Sequence, residues 1–185
     1  MKKIAVYSVY NEAQYLEKSL KSIRDKVDFI IVIDGAYKKF PHKYPFSTDG
    51  TLKIAYKYAD KVIETGEAWK SEVIKRNQYL IGEPGDVYIQ IDGHEIWSGK
   101  LIPPFGNYRI KMRMRDGWHE FFRMFIHQHT LRYYKKHYEL WVKDKCLGQE
   151  FPIYPHGHLI HKDVNYSKTQ KKDRKKYFST EDFDN

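Results

Sequence analysis

Along the first half of the chain, short apolar runs alternate with segments whose apolar positions fall three and four apart, which predicts strands alternating with helices. "KIAVYSV" (3–9) reads as a strand. "NEAQYLEKSLKSI" (11–23) reads as an amphipathic helix, with Leu16, Leu20 and Ile23 on one face and Asn11 as its N-cap. "DFIIVIDG" (28–35) is almost continuously apolar, the pattern of a strand buried on both faces of a parallel sheet. "STDGTLKIAYKYA" (47–59) predicts a turn and a helix, "DKVIET" (60–65) a strand, and "KSEVIKRNQYLI" (70–81) a further helix. "GDVYIQID" (85–92) is a buried strand entered through a Gly-Glu-Pro-Gly turn. This order implies an α/β fold with a mostly parallel central sheet, right-handed crossovers and flanking helices.

From Gly99 onward the pattern changes. "YRIKMRMR" (108–115) alternates apolar and basic residues, so it predicts a strand with one buried and one solvated face. Short aromatic pieces follow, then a Pro/His/Gly loop "FPIYPHGHLIH" (151–161) and a lysine-rich end, "SKTQKKDRKKYF" (167–178). With no repeat and no linker, the chain is expected to form one domain over 1–185, long enough to bury a proper interior.

Composition narrows the class. Hydrophobic residues make up 41% and charged residues 31%, with no apolar run long enough to span a bilayer, so a soluble globular protein is expected. The N-terminus passes straight into strand alternation without a secretory pattern, and the one cysteine, Cys146, precludes an intramolecular disulfide. Both point to a cytoplasmic setting. The net charge of +9 favours an anionic partner, whether nucleotide diphosphate, nucleic acid or anionic membrane surface. Sixteen tyrosines and 10 phenylalanines suit stacking on bases or sugars and equally suit a core.

Open parallel sheets bind ligands beyond the carboxyl ends of their strands. The candidates there are Ser8, Tyr10 and Asn11 after the first strand, Asp34 and Gly35 after the second, and Asp92, His94 and Glu95 after the fourth. An isolated Asp-Gly, as at 34–35 or 49–50, more often makes a turn. At 92–95 two readings stand side by side. Asp92 and His94, one residue apart in an extended segment, can both reach a divalent ion such as Mn²⁺ or Mg²⁺ on a diphosphate, or they form a strand-end turn with a solvated histidine.

The order "VYSVYNEAQYLEKSLKSI", "FIIVIDG", "STDGT" and "KRNQYLIGEPGDVYIQIDGHE" resembles the family 2 glycosyltransferases of the GT-A fold, continuously over residues 3–95. The resemblance implies a Rossmann-like sheet with a small antiparallel extension on the acceptor side. It divides the chain into a nucleotide-sugar-binding half (1–95) and an acceptor and catalytic half (96–185) with a basic end. It implies that Ser8 and Tyr10 line the base and ribose, Asp34 accepts a hydrogen bond from base or ribose, Arg76 sits near the nucleotide, and Asp92 and His94 hold the metal on the diphosphate. His94 stands where the family usually has a second Asp; Asp-X-His is the form in similar GT-A enzymes that glycosylate polypeptides with N-acetylgalactosamine. Small stand-alone enzymes of this kind also resemble those of archaeal viruses. A second departure is the insertion "AYKKFPHKYPF" (36–46), which either covers the nucleotide or is a surface loop.

Inversion at a sugar carbon requires a group that takes the acceptor's proton. "RDGWHEFFR" (115–123) carries a His-Glu pair like that of a subset of the family, which makes Glu120 the candidate base, with His119 and Asp116 in reserve; otherwise Glu120 caps a helix start. GT-A enzymes often add a C-terminal histidine to the metal, and among His156, His158 and His161 the choice falls on His161, which follows the apolar pair Leu159-Ile160. "KTQKKDRKKYF" (168–178) is either a solvated basic segment or one that folds over the diphosphate or rests on an anionic membrane carrying a lipid-linked acceptor.

The sequence thus leads to a metal-dependent inverting glycosyltransferase that moves a sugar, most simply a hexose, from a UDP- or GDP-sugar to a hydroxyl of a glycan, protein or lipid-linked acceptor. Two other classes stay in view. A basic nucleic-acid binder without catalysis suits the charge, but no recognition motif appears and the acidic cluster would repel phosphate. A sugar-phosphate nucleotidyltransferase would display a glycine-rich loop near the N-terminus, and "YSVYNEAQY" (7–15) has none.

Overall fold

A computed structural model describes residues 1–163 apart from Pro41, Lys135 and Gln149, and excluding the side chains of 136–138. The basic stretch 168–178 lies outside the described residues, together with the membrane and diphosphate readings attached to it.

Strand β1 (Lys3–Val9) is buried on both sides. Ala5, Tyr7 and Val9 enter a core with helix α1 (Ala13–Ile23) and helix α2 (Thr51–Tyr58), whereas Ile4 and Val6 enter a second core on the opposite face. Period-two alternation therefore hides apolar side chains in both directions, which is why β1 and β2 (Phe29–Asp34) lack alternating polar positions. Leu16, Leu20 and Ile23 form the inward stripe of α1 and are fully buried. Each contributes roughly 1.5–3 kcal/mol by leaving water.

Beyond β2 come α2, β3 (Lys61–Ile63), α3 (Glu72–Asn77), β4 (Val87–Gln90) and β5 (Glu95–Gly99). Among the described residues the elements that follow are all strands: β6 (Tyr108–Met114), β7 (Gly117–Ile126), β8 (Leu131–Tyr134), β9 (Lys136–Val142), β10 (Lys145–Leu147) and β11 (Ile153–His161). Among the described residues the main sheet has eight strands in the order β3-β2-β1-β4-β7-β6-β11-β5. It runs parallel from β3 to β4 and again between β6 and β11, and antiparallel where β7 joins β4 and β6 and where β5 joins β11. A three-stranded antiparallel sheet, β10-β9-β8, lies against α3 and the second core. The expected α/β class, a mostly parallel sheet with a small antiparallel extension, is the architecture observed.

Several local expectations change. Of residues 151–161, Ile153–His161 form a strand rather than a loop, because β5 and β6 offer hydrogen bonds on both sides and a register shift between Ile153 and His158 takes up Pro155. The helix expected over 70–81 is regular only over Glu72–Asn77. Asn11 is not the N-cap of α1: it has φ 52°, and Glu12 occupies the cap. Glu120 stands in a strand, not at a helix start.

Gly157 lies where β11 crosses Trp97, and a Cβ there would overlap the indole ring and approach Lys100 O at 3.0 Å. Gly157→Ala should therefore cost about 1–3 kcal/mol, a fall in Tm of roughly 2–4 °C per kcal/mol at this chain size. An unchanged melting temperature would show that the crossing relaxes freely.

Candidate functional site

The carboxyl ends of β1, β2 and β4 meet at one edge of the sheet, and the segment after β2 is laced onto the segment after β1. Asn11 N donates to Ser47 Oγ (2.7 Å) and Thr48 N to Asn11 Oδ1 (2.9 Å). Glu12 N donates to Thr51 Oγ1 (2.7 Å), and Ala13 N to Asp49 Oδ2 (3.0 Å). The turn "STDGT" thus supplies side-chain acceptors to the start of α1. Asp34 is fully buried and accepts from Ser47 N (2.9 Å) and Ser47 Oγ (2.5 Å). Burial pushes its pKa up, against those hydrogen bonds and the nearby Lys75 ammonium. Tyr10 donates to Tyr44 O (2.9 Å) and meets Phe40 edge-on. Phe40 and Tyr44 of the insertion therefore lie against Tyr10. Ser8 Oγ is buried without a hydrogen-bond partner among the described residues.

Between these strand ends stands a residue the sequence reading passed over. Lys75 is fully buried, and its Nζ donates to Val9 O and Gly35 O, both at 2.7 Å, below the Tyr37 ring. Burial pulls its pKa down to about 7, with Asp34 and Glu72 opposing the shift. One ammonium thereby ties β1 to β2 at the point where each chain leaves the sheet.

Next to it lies a buried charge network. Arg76 contacts Glu72 one helical turn earlier (2.8 Å) and Asp92 Oδ1 (3.2 Å). Arg123, from β7, contacts Asp92 Oδ2 (3.1 Å) and Glu95 Oε1 (3.2 Å). Asp92 N donates to Glu95 Oε2 (2.8 Å). Guanidinium groups only donate, so the Gln90 amide must turn its oxygen to them, accepting from Arg76 Nη1 (2.6 Å) and Arg123 Nη1 (2.7 Å) while its nitrogen donates to Tyr133 Oη (2.7 Å). Burial alone would raise the pKa of Asp92, but Arg123 and Arg76 together hold it well below the usual carboxylate range. In Glu95 burial prevails over Arg123, and the pKa is raised.

On the side of α1, His94 Nδ1 meets Glu12 Oε2 (3.0 Å), and His94 Nε2 faces His161 Nε2 at 3.0 Å. Burial lowers both imidazoles, but the Glu12 hydrogen bond pushes His94 back up to about 8, whereas His161 stays lowered beside it. Two imidazole nitrogens converging on one point, one of them oriented by a carboxylate behind it, fit a divalent ion. His161 Nδ1 is buried without a hydrogen-bond partner among the described residues. Among the described residues no group of three or more His, Cys, Asp or Glu side chains is gathered for a metal, so substrate oxygens would have to complete the shell.

On the other side, a cavity of about 480 Å³ opens between β7 and the three-stranded sheet, with Arg76, Gln90, Asp92 and Arg123 contributing to its wall. Glu120 also lines it, and its Oε2 receives Arg109 Nη1 at 2.6 Å. His119, at the start of β7, instead pairs with Asp116 (3.0 Å) of the exposed turn between β6 and β7. The fold brings Arg76, Asp92, Glu120, His94 and His161 into one region, sets Tyr10 and Asp34 at the neighbouring strand ends, and leaves His119 outside the cavity wall. Arg123 and Lys75 went unnoticed, although an arginine inside the apolar run "FFRMFI" and a lysine in a buried helical turn are both signals of buried charge.

No family model and no curated protein matches the chain. Solved structures of S. aureus TarS are similar to part of it. TarS 1-349 shares 21% identity over 53% of this chain and 29% of that one, with a TM-score of 0.40. A second TarS structure shares 19% over 62% and 22%, with a TM-score of 0.44. TarS 1-349 in complex with UDP-GlcNAc shares 23% over 53% and 28%, with a TM-score of 0.41. The chain spans well under a third of the length of these proteins.

Between about pH 7 and the ordinary lysine pKa near 10.4, the unfolded chain binds a proton at Lys75 that the folded chain has released. Stability should therefore rise with pH across that window, by on the order of 4 kcal/mol if the full shift is expressed. Lys75→Met should flatten the rise, as read from urea unfolding at several pH values; equal slopes in the two proteins would refute a depressed Lys75.

Proposed function

We propose that the chain is a metal-dependent inverting glycosyltransferase that moves a sugar from a nucleotide-diphosphate donor to an acceptor hydroxyl. The observation that carries this reading is the position of Asp92. It has the converging pair His94 and His161 on one side and the Glu120-bearing cavity on the other, which is what a reaction joining two substrates at one carboxylate requires.

The donor's base would lie at Tyr10 and Asp34, with the 36–46 segment and the Ser47 hydrogen bonds giving way as it enters. Ser8 Oγ, lacking a partner among the described residues, is available to a ribose hydroxyl. His94 and His161 would hold the ion beside the Asp92 charge, with substrate oxygens completing the shell. Of the two expected ions, Mn²⁺ accepts imidazole nitrogen more readily than Mg²⁺, which prefers an all-oxygen shell. Once bound, it supplies charge neutralisation at the diphosphate.

Chemically, the acceptor oxygen attacks the sugar's anomeric carbon from the face opposite the diphosphate. The carbon–oxygen bond to the diphosphate breaks as the new one forms, and the acceptor proton passes to Glu120. Arg109, itself anchored to Phe151 O at 2.9 Å, holds the Glu120 carboxylate in one orientation. Arg123 and Arg76 keep Asp92 ionised, so its charge is present when the metal and donor arrive.

The direct test is thermal stabilisation by UDP, GDP and CDP, each with Mn²⁺ and again with EDTA; UDP-GlcNAc is a natural first donor in turnover assays. One nucleotide should raise Tm by several degrees in the presence of metal and lose that effect in EDTA. No shift with any nucleotide would end this reading. Glu120→Gln should keep the nucleotide stabilisation and lower transfer by about 10²–10⁴-fold, and normal turnover by that variant would remove Glu120 from the mechanism.

A further inference from the structure

Strand β6 divides its side chains between two faces: Ile110 and Met112 enter the first core, whereas Lys111 and Arg113 stand exposed on the other. The register fixes their neighbours. Lys111 faces Glu120 of β7 and lies beside His158 of β11, and Arg113 faces Trp118 and lies beside Ile160. Residues paired in this way share a face of the sheet. Trp118 is 55% exposed, although tryptophan is highly buried on average, and it meets the His158 ring edge-on at 5.2 Å. Where the register of β11 against β6 shifts between Ile153 and His158, the strand borders a hollow of about 400 Å³, walled by Lys111, Trp118, Pro155, His156 and His158. Neither Lys111 nor Arg113 has an ion-pair partner among the described residues. The carboxylates on the adjoining part of β7 and its turn are engaged, Glu120 by Arg109 at 2.6 Å and Asp116 by His119 at 3.0 Å. Lys111 thus presents a cation to the hollow, and Arg113 a second one beside Trp118.

We propose that this hollow binds an anionic sugar, a saccharide unit carrying phosphate or carboxylate, with its ring on the Trp118 indole and its charge against Lys111 and Arg113. The C–H face of a sugar suits an indole, and its hydroxyls suit imidazole nitrogens that donate and accept. The anionic group gains charge-assisted hydrogen bonds from the two cations. About 400 Å³ holds one or two sugar units, whereas a flat membrane surface would leave the hollow unfilled. Lys111 stands directly across from Glu120, so the hollow begins one cross-strand pair, about 5 Å between Cα atoms, from the candidate base. That the bound sugar is the charged part of the acceptor rests on the glycosyltransferase reading; the site itself requires no transfer.

The indole N–H resonance of Trp118 gives the test, since the chain has four tryptophans and Trp118→Phe identifies which signal is its own. The full chain, without nucleotide, is titrated with glucose 6-phosphate, glucuronate, glucose and inorganic phosphate. We expect the Trp118 signal to move and saturate while the other indoles stay in place. The preferred anionic sugar should half-saturate it at a concentration roughly three- to ten-fold below that of glucose, and comparing glucose 6-phosphate with glucuronate tells phosphate from carboxylate. The double variant Lys111→Gln, Arg113→Gln should bring the anionic sugars level with glucose, with Tm unchanged because both side chains are exposed. An unmoved Trp118 signal, glucose binding as tightly as the anionic sugars, or inorganic phosphate matching them would each overturn the proposal. So would a shift produced only by vesicles of phosphatidylcholine and phosphatidylserine, which would make this face a membrane contact. Saturation in a protein that no nucleotide stabilises keeps the sugar site and removes its acceptor role. Nucleotide stabilisation beside an unmoved Trp118 removes the site and keeps the transferase.

Discussion

Two guanidiniums share one half-buried carboxylate, and the ligand-bearing edge of the sheet is arranged around that contact. Arg76 comes from α3, Arg123 from β7, Asp92 from the link between β4 and β5, and Glu95 from the first position of β5. Stripping water from such charges costs several kcal/mol per ion, so they are tolerable only while each has its partners. Gln90 bridges the two guanidiniums and connects them to Tyr133 in the small sheet. Four parts of the chain must therefore close together or not at all. The network adds little net stability relative to apolar packing, but it fixes where Asp92 points, and Asp92 is where the two halves of the site meet.

From that centre the surroundings divide by chemistry. Toward α1 the groups are imidazoles backed by Glu12, able to exchange a proton for a cation. Toward the three-stranded sheet they are carboxylates and aromatic rings around an open volume. Lys75 performs a related service at the neighbouring strand ends, where its one buried side-chain nitrogen donates both to Gly35 O and to Val9 O, which also accepts from Gly35 N. Charged groups at this edge thus act mainly as struts.

Much of the first half was legible because its elements are locally encoded. Continuous apolar runs gave β1, β2 and β4, and the stripe Leu16, Leu20 and Ile23 gave α1. The strand-end rule pointed to Asp34 and Asp92 before any contact was known. Residues 151–161 misled because two prolines and a glycine look like a loop; only two neighbouring strands, pairing on both edges, make Ile153–His161 into β11. Asn11 misled for a similar reason: its side chain serves Thr48, a partner distant in sequence, rather than the helix it precedes.

The sequence by itself determined the alternation of strand and helix, the faces each would bury, and the residue types at the strand ends, since these depend on period and backbone preference within a few positions. Tertiary structure decided which charges would meet. Arg123 reaches Asp92 across 31 positions and His161 reaches His94 across 67. Such contacts depend on strand order and register, and a one-residue slip in either strand would turn the side chain to the opposite face.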